Sequence, residues 1–180
     1  MSRLSRLADR PDSFGWISIA LHWLTAVVIV ILWGLGRSIE FQAPEAMTDR
    51  RTLHVTLGLL AWLLLAGRIV WRLRNSHPRA VGQSAAIHKV AMAAHYLMLA
   101  LLSVMLVSGP LLALTLTMDY TATVAAAAHT IHNLAANLLA ILVILHIAGA
   151  LKHLMFNDDE TLARIFTPGR RNSAVDTDTH

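Results

Sequence analysis

Four histidines stand inside long uncharged stretches of this chain: His22 in "ISIALHWL", His54 in "LHVTLGLL", and His132 and His146 at the two ends of "HNLAANLLAILVILH". An imidazole among aliphatic side chains is costly unless a hydrogen bond or a metal satisfies its ring nitrogens. His132 and His146 are fourteen residues apart. On a helix that is almost four whole turns, so both rings leave the same face. The rise between them is roughly 21 Å, most of the depth of a bilayer's hydrocarbon core. Two imidazoles stacked in this way suit a haem iron at each level, because neutral imidazole is a common axial donor that hydrocarbon tolerates once it is ligated. An iron with protein ligands on both axial positions has none left for oxygen, so it passes electrons instead.

The elements that must carry these rings are membrane spans. Hydrophobic residues make up 56% of the 180 residues and charged ones 14%, with a mean hydropathy of +0.55, well off the profile of a water-soluble domain. The chain has no cysteine, which excludes disulfides, Fe–S clusters, thiolate zinc sites and c-type haem attachment. The formal charge of +4 is assigned to lipid headgroups and not to nucleic acid, because hydropathy favours lipid. Four uncharged runs are expected to span. The first is Phe14 to Gly36, too long for a signal peptide and without a small-residue cleavage site after it, so it is expected to be retained. The second runs from Thr52 to Gly67 and is completed by "RIVWRLR", whose Arg68 and Arg72 can snorkel to the headgroups. The third covers Val90 to Met118, with "SGP" at Ser108 to Pro110 kinking or ending it. The fourth lies between Asp119 and Lys152. Its opening "YTATVAAAA" reads as a loop or interfacial lead-in, which places the helix start near Ala126 to Thr130.

Basic residues set the expected orientation. Arg3, Arg6 and Arg10 precede the first span. Arg68, Arg72, Arg74, Arg79 and Lys89 surround the second connection, and Lys152, Arg164, Arg170 and Arg171 follow the fourth span. The opposite side carries only Arg37, Arg50 and Arg51. Twelve against three places both termini in the cytoplasm. The expected architecture is therefore all-α, an integral membrane four-helix up-down bundle over residues 14–156. Residues 1–13 and 157–180 form cytoplasmic tails, the second ending in a disordered "NSAVDTDTH". In this topology the histidines sort into two levels on different helices, His54 with His132 outside and His22 with His146 inside. Small residues near them would let a flat porphyrin approach the backbone: Gly58, Ala135, Ala136, Gly149 and Ala150. Zinc competes less well, since its ligands cluster at one level and number three or four. Histidines that bind no haem, in a scaffold or a proton-conducting protein, are the remaining alternative. His129 is the alternative to His132, although it does not give the fourteen-residue repeat with His146.

These stretches resemble the bacterial cytochrome b561 family of small di-haem membrane cytochromes, from about Ile17 to Arg164. The resemblance is carried by "ISIALHWL", by "LHVTLGLL" with "GRIVWRL", and most specifically by "HNLAANLLAILVILHIAGALKHLMFNDDETLARI". It implies two haem b groups (protohaem IX) with axial ligands from the first, second and fourth helices, carried over here as His22/His146 and His54/His132. It also implies a multi-pass protein of the bacterial inner membrane that moves electrons between a periplasmic donor and the quinone pool. The family includes superoxide oxidase, which passes the electron from superoxide to ubiquinone, so an oxidoreductase of superoxide:quinone type is one expectation. A haem b relay subunit that docks a separate redox protein and has no substrate of its own is the other. The chain departs from the family pattern in the apolar "VAAAAHTIH" and in "VSGP", where a proline more usually precedes that glycine.

The remaining polar residues give candidates around the haems. His95, His88 one heptad before it, His153 one heptad after His146, and Arg72 could surround a quinone headgroup, supplying donors to its carbonyls and protons for its reduction. Arg68 and Arg37 are candidates to pair with haem propionates, and Arg37, Arg50 and Arg51 to steer a small anion such as superoxide. The lipid bilayer is an expected partner, and a second copy of the chain, as a homodimer, is a further candidate.

Overall fold

The computed structural model describes residues 7–9, 13–75, 85–118, 120–156 and 165–166, except the side chains of 153, 154 and 156. Four α-helices follow one another: α1 (Trp16–Ile39), α2 (Pro44–Arg74), α3 (Ala85–Leu114) and α4 (Ala122–Phe156). Each is long and apolar enough to cross a membrane. The outward faces are apolar, as the 73–77% exposed side chains of Leu60 and Leu63 illustrate, which is the pattern of a surface facing lipid and not water. The protein is an all-α, four-helix membrane bundle.

Side-chain pairings fix the up-down course. Gly36, late in α1, lies against His54, early in α2, and Gly109, late in α3, lies against His132, early in α4. Trp71 near the end of α2 donates from Nε1 to Ser18 Oγ near the start of α1 at 2.7 Å. One end of the bundle therefore holds the start of α1 and the end of α4 (the terminal end), and the other holds the α1–α2 and α3–α4 connections (the far end). Midway between them, Leu65, Leu102 and Leu139 form the buried core, with Val28, Ile29 and Val143 packed on it.

Several boundaries differ from the sequence expectation, each for a local reason. Helix α2 begins at Pro44 rather than Thr52, because proline at the first helical position costs no hydrogen bond. Helix α4 begins at Ala122, ahead of the expected Ala126 to Thr130. Thr121 caps it, its carbonyl accepting from the Val124 and Ala125 N–H groups at 3.0 and 3.2 Å, and the alanines that follow are the best helix formers.

"SGP" does not end α3, which continues through Pro110 to Leu114. Proline lacks the N–H that the Leu106 carbonyl would otherwise receive, and Trp62 of α2 donates its indole N–H to that oxygen at 3.0 Å. A donor from the neighbouring helix thus satisfies the group that the proline leaves open, as hydrocarbon requires.

The expected tail 1–13 is not separate from the bundle where it is described. Asp9 turns back on α1, accepting from Gly15 N–H at 2.8 Å and from the Ser18 hydroxyl at 2.6 Å. The Leu7 carbonyl takes the Ile17 N–H at 3.2 Å. These bonds occupy the open donors at the start of α1, and a Cβ on Gly15 would overlap the Leu7 oxygen. Arg3, Arg6, Arg10, Arg79, Arg164, Arg170 and Arg171, and the tail beyond 166, lie outside the described residues.

Candidate functional site

The histidines meet in two pairs. At the far end the rings of His54 and His132 have centroids 6.3 Å apart and stand at 86° to each other. At the terminal end the rings of His22 and His146 are also 6.3 Å apart, at 62°. Two metal–imidazole bonds of about 2 Å, added to the two ring radii, give a separation of roughly 6 Å. Each pair is therefore spaced to hold one metal atom between its rings. Among the described residues no three His, Asp or Glu side chains converge as a chelating cluster, which sets these pairs apart from a structural zinc site.

The backbone makes room for the far-end rings. A Cβ on Gly36 would stand 3.1 Å from His54 Cε1, and one on Gly109 would stand 3.2 Å from His132 Cε1. Glycine at both positions lets a neighbouring helix approach the ring edge. Sequence reading missed both, because neither lies on the helix of the histidine it faces. The pair opens onto a cavity of about 400 Å³ whose lining includes Gly36, Gly58, Gly109, Trp33, Trp62 and Ala136, within the range of small-molecule sites. Gly58 has open space where a side chain would go, as a flat ligand needs. Ala135, expected beside a porphyrin, is instead buried and is not part of that lining.

The two far-end rings are anchored differently. His132 Nδ1 lies 3.0 Å from Ser108 Oγ of α3, whereas the buried His54 ring has the Leu32 backbone of α1 beside it. His129 does not face His54 as His132 does. It lies in the cavity lining, with Nε2 accepting from the Asn133 amide at 3.2 Å. Arg51 and Arg37 also line the cavity, Arg37 with an ion pair to Glu40 at 3.8 Å. Arg50 does not line it.

At the terminal end a third ring joins the pair. His95 of α3 lies 5.0 Å from His146, centroid to centroid, and its Nδ1 is held at 2.7 Å from the Ala91 carbonyl one turn back. Arg68 is in electrostatic range of His22 and His95. Arg72 is buried, 3.8 Å from Asp9, with its guanidinium 6.0 Å from the centre of the Phe14 ring. Among the described residues its buried Nε and Nη2 have no acceptor. The Trp23 indole donates to the Ile165 carbonyl at 3.1 Å and stacks on Phe166, so residues 165–166 return to the same end. His88 lies half-buried two turns before His95, and the side chain of His153 falls outside the described residues.

A sequence model described as "Prokaryotic cytochrome b561" matches residues 13–168. The chain is also 28% identical, over 181 aligned positions, to "Cytochrome b561 homolog 2" of Escherichia coli (strain K12), covering 87% of this chain and 93% of that protein. With the match spanning all four helices and both histidine pairs, this chain belongs to the prokaryotic cytochrome b561 family and is a multi-pass bacterial membrane cytochrome that carries electrons on haem b.

Proposed function

We propose that the chain binds two haem b groups, one held by His54 and His132 and the other by His22 and His146. In this reading it conducts electrons across the inner membrane between a periplasmic donor and the quinone pool. The observation that carries it is the pair of 6.3 Å ring separations, one at each end of the Leu65, Leu102 and Leu139 core. When bound, each haem supplies a reversible one-electron couple. The residues divide the remaining work. The imidazoles would hold the iron, Gly36 and Gly109 let neighbouring helices approach the His54 and His132 rings, Gly58 leaves space for a flat group, and the leucine core separates the two levels.

Superoxide is the proposed donor and ubiquinone the proposed acceptor. Two superoxide anions leave as dioxygen, giving up one electron each, and the quinone takes these two electrons and two protons to become quinol. Arg51 on the far-end cavity would favour a small anion there. Arg72 supports the quinone end, since an acceptor such as a quinone carbonyl would satisfy its buried donors, which have none among the described residues, and His95, in electrostatic range of Arg72, would hand on a proton. Arg68 is the candidate partner of an inner haem propionate.

Oxidised and dithionite-reduced spectra of the purified protein should show low-spin haem b and a haem-to-protein ratio near two. A colourless protein would refute the haem assignment. Mixing with superoxide should reduce the haem and consume quinone faster than the spontaneous reaction. Haem that stays unreacted would favour the relay reading, in which a separate redox protein docks.

A further inference from the structure

Ser108 sits late in the membrane-spanning α3, 5% exposed, where a serine ordinarily bonds back to its own helix. Ser103, five residues earlier, does so, donating to the Leu99 carbonyl at 2.9 Å. Ser108 instead reaches across to α4, with Oγ 3.0 Å from His132 Nδ1. Its neighbour Gly109 holds the α3 backbone against the same edge of that ring. The other ring of the pair, His54, has the Leu32 backbone of α1 beside it instead.

We infer that Ser108 is the positioning residue for His132, accepting its Nδ1 hydrogen and so presenting Nε2 as the donor to iron. This rests on the haem reading above. A nitrogen committed to a metal cannot carry the hydrogen, so the hydrogen is on Nδ1 and the serine oxygen accepts it. An acceptor at that position fixes the ring's rotation and raises the basicity of the ligating nitrogen. A more basic ligand stabilises ferric over ferrous iron, so Ser108 holds the potential of the far-end haem down and leaves the terminal-end haem untouched. The one-electron exchange itself moves no proton at this serine.

The test is a spectroscopic redox titration of the full-length, haem-loaded protein, with the far-end wave identified as the one missing from His132→Ala. A wild-type protein without two haem waves would refute the haem reading itself, before any serine variant is compared. In Ser108→Ala the far-end reduction constant should rise about tenfold, about 59 mV for a one-electron couple, with the other wave unmoved. Ser108→Thr and Ser108→Val, which share a shape but differ by the hydroxyl, separate the bond from packing. The inference predicts that Thr keeps the wild-type potential and Val moves with Ala. If a variant drops the far-end haem, the same pair decides on haem content, with Thr retaining it and Val losing it. Unmoved waves in Ala, or Thr and Val behaving alike, would overturn it.

Discussion

His129 and His132 are three residues apart on α4, and the ring that pairs with His54 at 6.3 Å is that of His132. His129 is bonded along its own helix to Asn133. In the purified protein His132→Ala should therefore lower the haem-to-protein ratio from near two to near one, read by the pyridine haemochromogen assay, while His129→Ala leaves it unchanged. The opposite pattern would exchange their roles. Gly109→Ala is predicted to cost part of the far-end haem, because the new methyl would meet the ring at 3.2 Å; Gly34→Ala, which opens on free space, should cost none. The histidines were legible because a polar ring in an aliphatic run is conspicuous. Gly36 and Gly109 were not, since no local pattern says which ring a glycine on another helix will face. Gly58, chosen for its place one turn from His54, does line the cavity.

Pro110 and Trp62 belong together at the level of the helix. Trp62→Phe removes the donor to the Leu106 carbonyl and should destabilise the bundle by about 1–3 kcal/mol, the cost of an acceptor left open in hydrocarbon. In a Pro110→Ala background, where the backbone N–H returns, the same change should cost much less. Unfolding titrations of the four proteins would measure this coupling, and equal costs in both backgrounds would exclude it. The start of α1 depends in the same way on Asp9, whose carboxylate takes the Gly15 and Ser18 hydrogens and faces buried Arg72. Asp9→Ala leaves a buried cation without its counter-charge, about 3 kcal/mol, or a fall in Tm of roughly 6–12 °C in detergent. Asp9→Asn, which keeps an oxygen for Gly15, should fall less. Existence and order of the helices were readable from hydropathy. The early start of α4 had a readable cap in Thr121, but the apolar "VAAAA" after it fits a membrane interface as well as a helix.

Across the whole molecule, the excess of basic residues beside the termini and the α2–α3 connection gives the bundle a direction, with the terminal end proposed to be cytoplasmic. The absence of cysteine makes this testable with single thiols. Gln42→Cys, between α1 and α2, should react with a membrane-impermeant maleimide in spheroplasts, whereas Asn75→Cys, just past α2, should react only after permeabilisation. The reverse would invert the protein and move the end proposed to meet superoxide to the cytoplasm. Placing the His54 pair and the His22 pair on opposite sides of one leucine core suits a chain that conducts across the membrane and not along it.

Sequence alone determined the number of spans, their alternation, and which of His22, His54, His132 and His146 share an end of the bundle, because length, hydropathy and the rise of a helix are local properties. It could not determine which way each helix turns about its axis, since helices in lipid are apolar on nearly every side and carry no marked face. Tertiary packing decided that rotation. With it came the glycines against the rings, the Trp62 bond to the carbonyl that Pro110 leaves open, the return of Asp9 onto Arg72, and the hydroxyl of Ser108 at His132. Each joins residues from separate helices or segments, and the polar contacts among them form because a polar group sealed from water must find its partner wherever the chain brings one.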